Sequence, residues 1–173
     1  MITKKDSITI NVNGRDYLLK EGRDYVPSDS LSKVLRETLG LVGVRVSCEQ
    51  GACGACTVLL DGRSVLSCMM LVEEADGHRV TTIEAYNGSD YVVDAFVNTC
   101  GPGEGTAMQC GYCTPGFVME AHSLLDSNPD PTDEEITEAL SGHICRCGCY
   151  HGIHAAVRHA SEHLCQCKGG DDK

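Results

Sequence analysis

Residues 48–56 read Cys-Glu-Gln-Gly-Ala-Cys-Gly-Ala-Cys, and Thr57-Val-Leu-Leu60 follows directly. The three cysteines stand at C-x4-C-x2-C spacing, and a fourth, Cys68, comes after eleven further residues. Between the sulfurs lie Gly51, Ala52, Gly54 and Ala55, which have little or no side chain. Glycine also adopts positive φ freely, so such a loop can wrap a bulky inorganic core and aim its amides inward. The apolar Val58, Leu59 and Leu60 would shield whatever the loop holds.

Outward from this loop, the sequence predicts a mixed domain of strands and one helix. Ile8, Ile10 and Val12 alternate with polar residues, and Asn13-Gly14 predicts a hairpin turn before Tyr17, Leu18 and Leu19. Leu31, Val34, Leu35 and Leu39 share one helical face, with Gly40 as the stop. Residues 57–60 and 64–66 flank Asp61-Gly62 as a second hairpin, and residues 80–83 predict a last strand. Hairpin, helix, hairpin and strand is the element order of a β-grasp, ferredoxin-like domain, here residues 1–84.

After residue 84 the period becomes helical. Ser89 is the expected cap of a helix presenting Val92, Ala95, Phe96 and Thr99, which Gly101-Pro102-Gly103 breaks. Thr114-Pro115 predicts an N-cap and a first-turn proline ahead of the stripe Phe117, Val118, Ala121, Leu124 and Leu125. Thr132 and Glu135 match a capping box before Ile136, Ala139 and Leu140, and Gly142 is the expected end. A last helix is expected from about Gly152, with Ile153, Ala156, Val157, Ala160 and Leu164 facing inward. Residues 85–167 thus predict an all-α four-helix bundle, and residues 168–173 a disordered tail. The fold class expected is α+β, in two domains.

Twelve cysteines in 173 residues are either disulfides or metal ligands. The start, MITKKDSITINV, lacks the apolar stretch of a secretory signal, and no segment reaches the roughly 18 apolar residues of a membrane span. A cytoplasmic setting is therefore expected, where thiols stay reduced and bind metal. The spacing of Cys48, Cys53, Cys56 and Cys68 is that of plant-type [2Fe–2S] ligands. Zinc sites instead space two C-x2-C-like pairs a dozen or more residues apart. A zinc-stabilised interaction module is the alternative from another functional class. The second set is Cys110-Gly-Tyr-Cys113 with Cys145-Arg-Cys147, each pair beside a predicted helix whose N-terminus favours thiolates and anionic clusters. Alone, this set also suits zinc or a redox dithiol. Beside the first, a second cluster is the better reading. The formal charge of −11 argues against nucleic acid, whose phosphates call for clustered Lys and Arg.

Residues 53–62 (CGACTVLLDG), 109–125 (QCGYCTPGFVMEAHSLL) and 128–153 (NPDPTDEEITEALSGHICRCGCYHGI) together resemble the small iron–sulfur subunit of the molybdenum hydroxylases, the xanthine oxidase family. The likeness runs from about residue 7 to residue 163 in one order. The resemblance implies a cluster distal to molybdenum on Cys48, Cys53, Cys56 and Cys68, and a proximal one on Cys110, Cys113, Cys145 and Cys147. It implies a large partner carrying molybdopterin and the substrate pocket, and a further subunit or domain carrying FAD. Electrons would pass between molybdenum and flavin through both clusters, with no substrate chemistry on this chain. Gln109 and Cys147 match positions that lie against the pterin. The complete enzyme either hydroxylates an aromatic heterocycle, purine or aldehyde, or reductively dehydroxylates a phenol.

Several residues depart from the family pattern. Ser47 stands where glycine is usual, Cys147-Gly-Cys-Tyr150 replaces the common Cys-Thr-Gly-Tyr, and residues 99–106 form a longer approach to the second set. Cys100 and Cys149 are expected to be structural thiols, and Cys165 and Cys167 free ones. His143, His151 and His154 could serve as Rieske-type ligands, a role that Cys145 and Cys147 make unnecessary. Arg146 either contacts the cofactor subunit, the favoured reading, or offsets cluster charge.

Overall fold

The computed structural model describes residues 6–101 and 103–168, leaving aside the side chains of residues 165–168. The expected disordered tail, apart from the helical backbone of Lys168, and the thiols of Cys165 and Cys167 lie outside the described residues.

The first half is a five-stranded mixed sheet in the order β2-β1-β5-β3-β4. Strands β1 (Ser7–Val12) and β2 (Arg15–Lys20) form the predicted antiparallel hairpin. Asn13 at φ 52° and Gly14 at φ 81° supply the two left-handed residues that such a tight turn requires. Strands β3 (Thr57–Leu60) and β4 (Arg63–Leu66) form the second, turning at Asp61 and Gly62, again with positive φ. Strand β5 (Arg79–Thr81) lies parallel to β1 and antiparallel to β3, joining the hairpins into one sheet. It ends earlier than expected, because Ile83–Ala85 turns into a short 3-10 helix.

The predicted helix on this sheet is short. A single α turn, α1 (Leu31–Lys33), widens at Val34–Thr38, where Leu39 N–H reaches back to Val34 O at 3.1 Å. Gly40 at φ 74° then ends it as expected. Leu31, Val34 and Leu35 are buried with Ile8, Ile10 and Val58 in the core between helix and sheet.

The second half is helical: α2 (Tyr91–Asn98), α3 (Thr114–Ser127), α4 (Asp133–Leu140) and α5 (Tyr150–Lys168). The expected inward faces converge, with Phe96, Phe117, Leu125, Ile136, Ile153 and Val157 in a separate core. Several ends are shifted. Asp90, not Ser89, caps α2, because its carboxylate accepts from both Val92 and Val93 N–H. Helix α3 is capped at Cys113, so Thr114 and Pro115 are already in its first turn. The Thr132–Glu135 capping box is present, whereas α4 ends at Leu140 with Ser141 as its C-cap, before Gly142. Among the described residues no helix is long and apolar enough to cross a membrane.

The two halves meet where α3 lies on β3 and β4. Ser64 N–H donates to Ser123 Oγ, and Ser64 Oγ donates to Glu120 on α3. At the start of α3, Gly116 is backed onto the backbone of Gly54 and Ala55, so closely that a methyl group there would collide with the Gly54 carbonyl. Helix and first cysteine loop are in main-chain contact, which only a residue without Cβ permits. Gly116→Ala should therefore destabilise the protein by about 1–3 kcal/mol, the usual range for an overpacked site. Thermal denaturation would show this as a lower Tm.

The link between the halves is pinned by His122 on α3. Its ring stacks on Tyr86 at 3.9 Å and 9°, meets Tyr91 edge-on, and donates from Nε2 to Asp90 Oδ1 at 3.0 Å. Burial pushes its pKa below the ordinary value, although Asp90 and Asp126 pull the other way. A histidine with a lowered folded pKa lends stability above about pH 6.5 that is lost as pH falls through the folded value. Stability should fall on acidification by up to about 1.4 kcal/mol per pH unit from this group. His122→Gln, which keeps an N–H toward Asp90 without titrating, should flatten the dependence of Tm on pH between 7.5 and 5.5.

Candidate metal centres

Cys48, Cys53 and Cys56 sit on the loop between α1 and β3, and Cys68 lies just beyond β4. The hairpin register that pairs Thr57 with Leu66 brings Cys56 beside Ser67. Ser67 locks this approach, since its N–H and its Oγ both donate to Cys56 O, at 3.4 and 2.6 Å. Cys68 is thereby carried next to Cys56, and Cys48 pairs with Cys53. Glu49, Gly51 and Gly54 all take positive φ, which curls the loop. Backbone amides of Gln50, Ala52 and Cys53 point at Cys48 Sγ and draw its thiol pKa down to about 7. Cys56 is buried, which pushes its thiol up to about 12. A cation at the site would reverse that preference.

The second set is built from two helix approaches. Cys110 and Cys113 precede α3, and Cys145 and Cys147 precede α5. Gly152 in the first turn of α5 packs so tightly against Thr106 and Ala107 that a side chain there would strike their backbone. This contact draws the two approaches together, so that Cys110 pairs with Cys147, and Cys113 with Cys145. Cys145 N–H donates to Tyr150 Oη at 2.9 Å, and Cys149 N–H donates to Cys145 Sγ at 3.4 Å. Burial pushes the Cys113 thiol up to about 12.

The structure brings the cysteines together as neighbours, Cys48 with Cys53, Cys56 with Cys68, Cys110 with Cys147 and Cys113 with Cys145. A two-iron rhomb takes two thiolates on each iron, so paired sulfurs, curled glycine loops and inward amides fit a [2Fe–2S] group.

The two sets face each other. Ile144 N–H donates to Cys53 O at 3.0 Å, and Tyr112 Oη donates to Val46 O at 2.6 Å. A crevice of about 410 Å³ lies between them, lined by Ser47, Cys53, Ala55, Cys110, Cys113 and Arg146. Cys113 and Cys145 lie on the inner side of the second set, whereas Cys110 and the neighbouring Gln109 are exposed. Arg146 is exposed as well.

The histidines near the second set are engaged elsewhere. Thr57 Oγ1 donates to Gly54 O and accepts from the buried His143 Nε2 at 3.0 Å. Burial lowers the His143 ring pKa to about 4, against a backbone contact with Gly116 that pulls the other way, so the ring is neutral. His151 and His154 donate to Gly103 O and Asp133 O. Sequence reasoning missed His143, Ser67 and Gly116 as supports of the two sets. Nothing in their local pattern marks a contact across many residues.

Known proteins match this arrangement. Residues 8–100 match the 2Fe-2S iron-sulfur cluster binding domain family, and residues 82–158 match the [2Fe-2S] binding domain family. The chain is 46% identical to the nicotinate dehydrogenase small FeS subunit of Eubacterium barkeri, over 91% of this chain and 96% of that one. It superposes on quinoline 2-oxidoreductase from Pseudomonas putida 86 with a TM-score of 0.79 and 34% identity, covering 92% of this chain and 96% of that chain. Aldehyde oxidoreductase from Desulfovibrio desulfuricans gives a TM-score of 0.82 and 36% identity, covering 94% of this chain but only 17% of that much longer one. With its mixed sheet, its helical half and two facing cysteine sets, the chain belongs to the small [2Fe–2S] subunits of the molybdenum hydroxylase (xanthine oxidase) family of oxidoreductases.

Proposed function

We propose that this chain relays electrons one at a time between a molybdopterin site on a large partner and FAD on another partner. On this reading Cys48, Cys53, Cys56 and Cys68 hold the cluster nearer flavin, and Cys110, Cys113, Cys145 and Cys147 the one nearer molybdenum. When bound, each cluster supplies a one-electron redox centre. The observation that carries the proposal is the 3.0 Å hydrogen bond from Ile144 N–H to Cys53 O. Ile144 is covalently joined to Cys145, so one peptide contact links a ligand of each set.

The chain's own residues supply ligation, orientation and shielding. Amides aimed at Cys48 and Cys145 stabilise charge on sulfur, and buried Cys56 and Val58 keep water from the first set. Met108, Tyr112, Ile144 and Tyr150 are exposed around the second set and suit it to a docked subunit. We take residues 1–84 as the ferredoxin-like domain and 85–167 as a four-helix bundle, supported by their separate cores. Ile83 packs on the helical core, so the boundary lies within the short 3-10 turn. The relatives named for nicotinate and quinoline favour an aromatic N-heterocycle as the complete enzyme's substrate, and the reduced thiols of so many cysteines suit a cytoplasmic setting.

Purified chain should carry close to four iron and four acid-labile sulfide, the content of two [2Fe–2S] clusters. Two iron with one zinc would remove the second cluster and leave the first.

Gln109 is exposed beside Cys110, and its side chain makes no hydrogen bond to the turn among the described residues. We assign it to the pterin side, with Cys147. Gln109→Ala should slow electron transfer from molybdenum to the nearer cluster with both clusters still bound. Gln50→Ala, the exposed glutamine of the first loop, should leave that step unchanged. Freeze-quench EPR on the assembled enzyme measures both. Equal slowing by the two changes would mean that the proposed polarity is absent.

A further inference from the structure

His143 fills the gap between the two cysteine sets. It belongs to the approach of the second set, two residues before Cys145, yet its ring lies on the first loop. A methyl group on Gly54 would collide with the Cδ2 and Cγ of that ring. Phe117 of α3 packs against it with ring centres 5.0 Å apart. His143 Nε2 donates to Thr57 Oγ1 at 3.0 Å, and Thr57 Oγ1 donates to Gly54 O at 2.7 Å. Thr57 has one hydroxyl proton, and its bond to Gly54 uses it, so the hydroxyl can only accept from the histidine. The imidazole therefore carries a proton on Nε2.

The next residue, Ile144, donates its N–H to Cys53 O. Two consecutive residues of one approach thus hold two consecutive residues of the other loop, Ile144 through its backbone and His143 through its side chain. The contact from Tyr112 Oη to Val46 O also joins the sets, but its ring is exposed. His143 is only 6% exposed, so its ring keeps water from the space beside Gly54. Gly54 has no side chain to fill that space, and a cavity left there would close only in part.

We propose that His143 is a positioning residue for electron transfer between the two clusters. Its ring, and its bond through Thr57 to Gly54 O, hold the Cys53–Gly54 peptide against the chain that enters Cys145. The inference rests on the relay and the ligand assignment proposed above. Electron transfer between fixed centres weakens steeply as their separation grows, and a packed, hydrogen-bonded gap couples them better than an empty or wet one. Close packing also leaves the two loops one arrangement instead of several. His143 binds no iron and gains or loses no proton in this role. It sets the distance and the contact across which the electron passes.

His143→Ala, His143→Gln and Thr57→Val in the assembled enzyme test this by iron analysis, EPR of the fully reduced protein and freeze-quench kinetics. Both clusters are paramagnetic when reduced, so the wild type should show two signals split by magnetic coupling between them. His143→Ala should keep the wild-type iron, lose the splitting and pass electrons between the clusters more slowly. His143→Gln, whose amide nitrogen can stand where Nε2 stands, should restore both splitting and rate. Thr57→Val, which keeps the ring but cuts its link to Gly54 O, should narrow the splitting. Full iron with wild-type splitting and rate in both His143→Ala and Thr57→Val would overturn the positioning role and leave the relay standing. Loss of two iron from His143→Ala would also overturn it, since the histidine would then support a cluster and not the transfer. Absence of two cluster signals from the wild type would instead strike the relay itself.

Discussion

The structure depends on one main-chain contact, the approach of Gly116 at the head of α3 to Gly54 in the first cysteine loop. Two peptide backbones meet there without an intervening side chain. The same junction carries the hydrogen bond from Ile144 N–H to Cys53 O and the Thr57–His143 bond. Separation of the halves by the width of one methyl group would break all three. A relay between two centres needs such closeness, and close packing makes it rigid rather than adjustable.

The junction also joins two cores that are otherwise independent. One is filled by Ile8, Ile10, Leu31 and Val58 under the sheet, the other by Phe96, Phe117, Ile136 and Ile153 among the helices. Each is small and contains few aromatic residues, and cores of that size often depend on a metal or crosslink. Cys56 belongs to the first core, and Cys145 and Cys149 to the second.

Electrostatics divides the second set into an inner and an outer side. Cys145 is buried and receives an amide hydrogen bond, next to the contact with the first loop. Cys110 is exposed beside Gln109, with apolar Met108 and Tyr112 nearby on the surface. This asymmetry comes from the fold, because both pairs have the same chemistry.

Sequence by itself determined the elements and the cysteine sets. Asn13-Gly14 and Asp61-Gly62 specify tight turns through local backbone preference, and Thr132 with Glu135 specifies a helix start through two hydrogen bonds within four residues. Ligand spacing is likewise local for Cys48, Cys53 and Cys56. Choices among neighbouring caps were less legible, since Ser89 and Asp90 compete and only the position of the carboxylate decides. The relation between the sets belonged to tertiary structure alone. Nothing near Gly116 indicates that it will meet Gly54, and nothing near His143 indicates Thr57. Those contacts form when α3 settles on β3 and β4, and long-range packing, not local propensity, sets which backbone atoms then face each other.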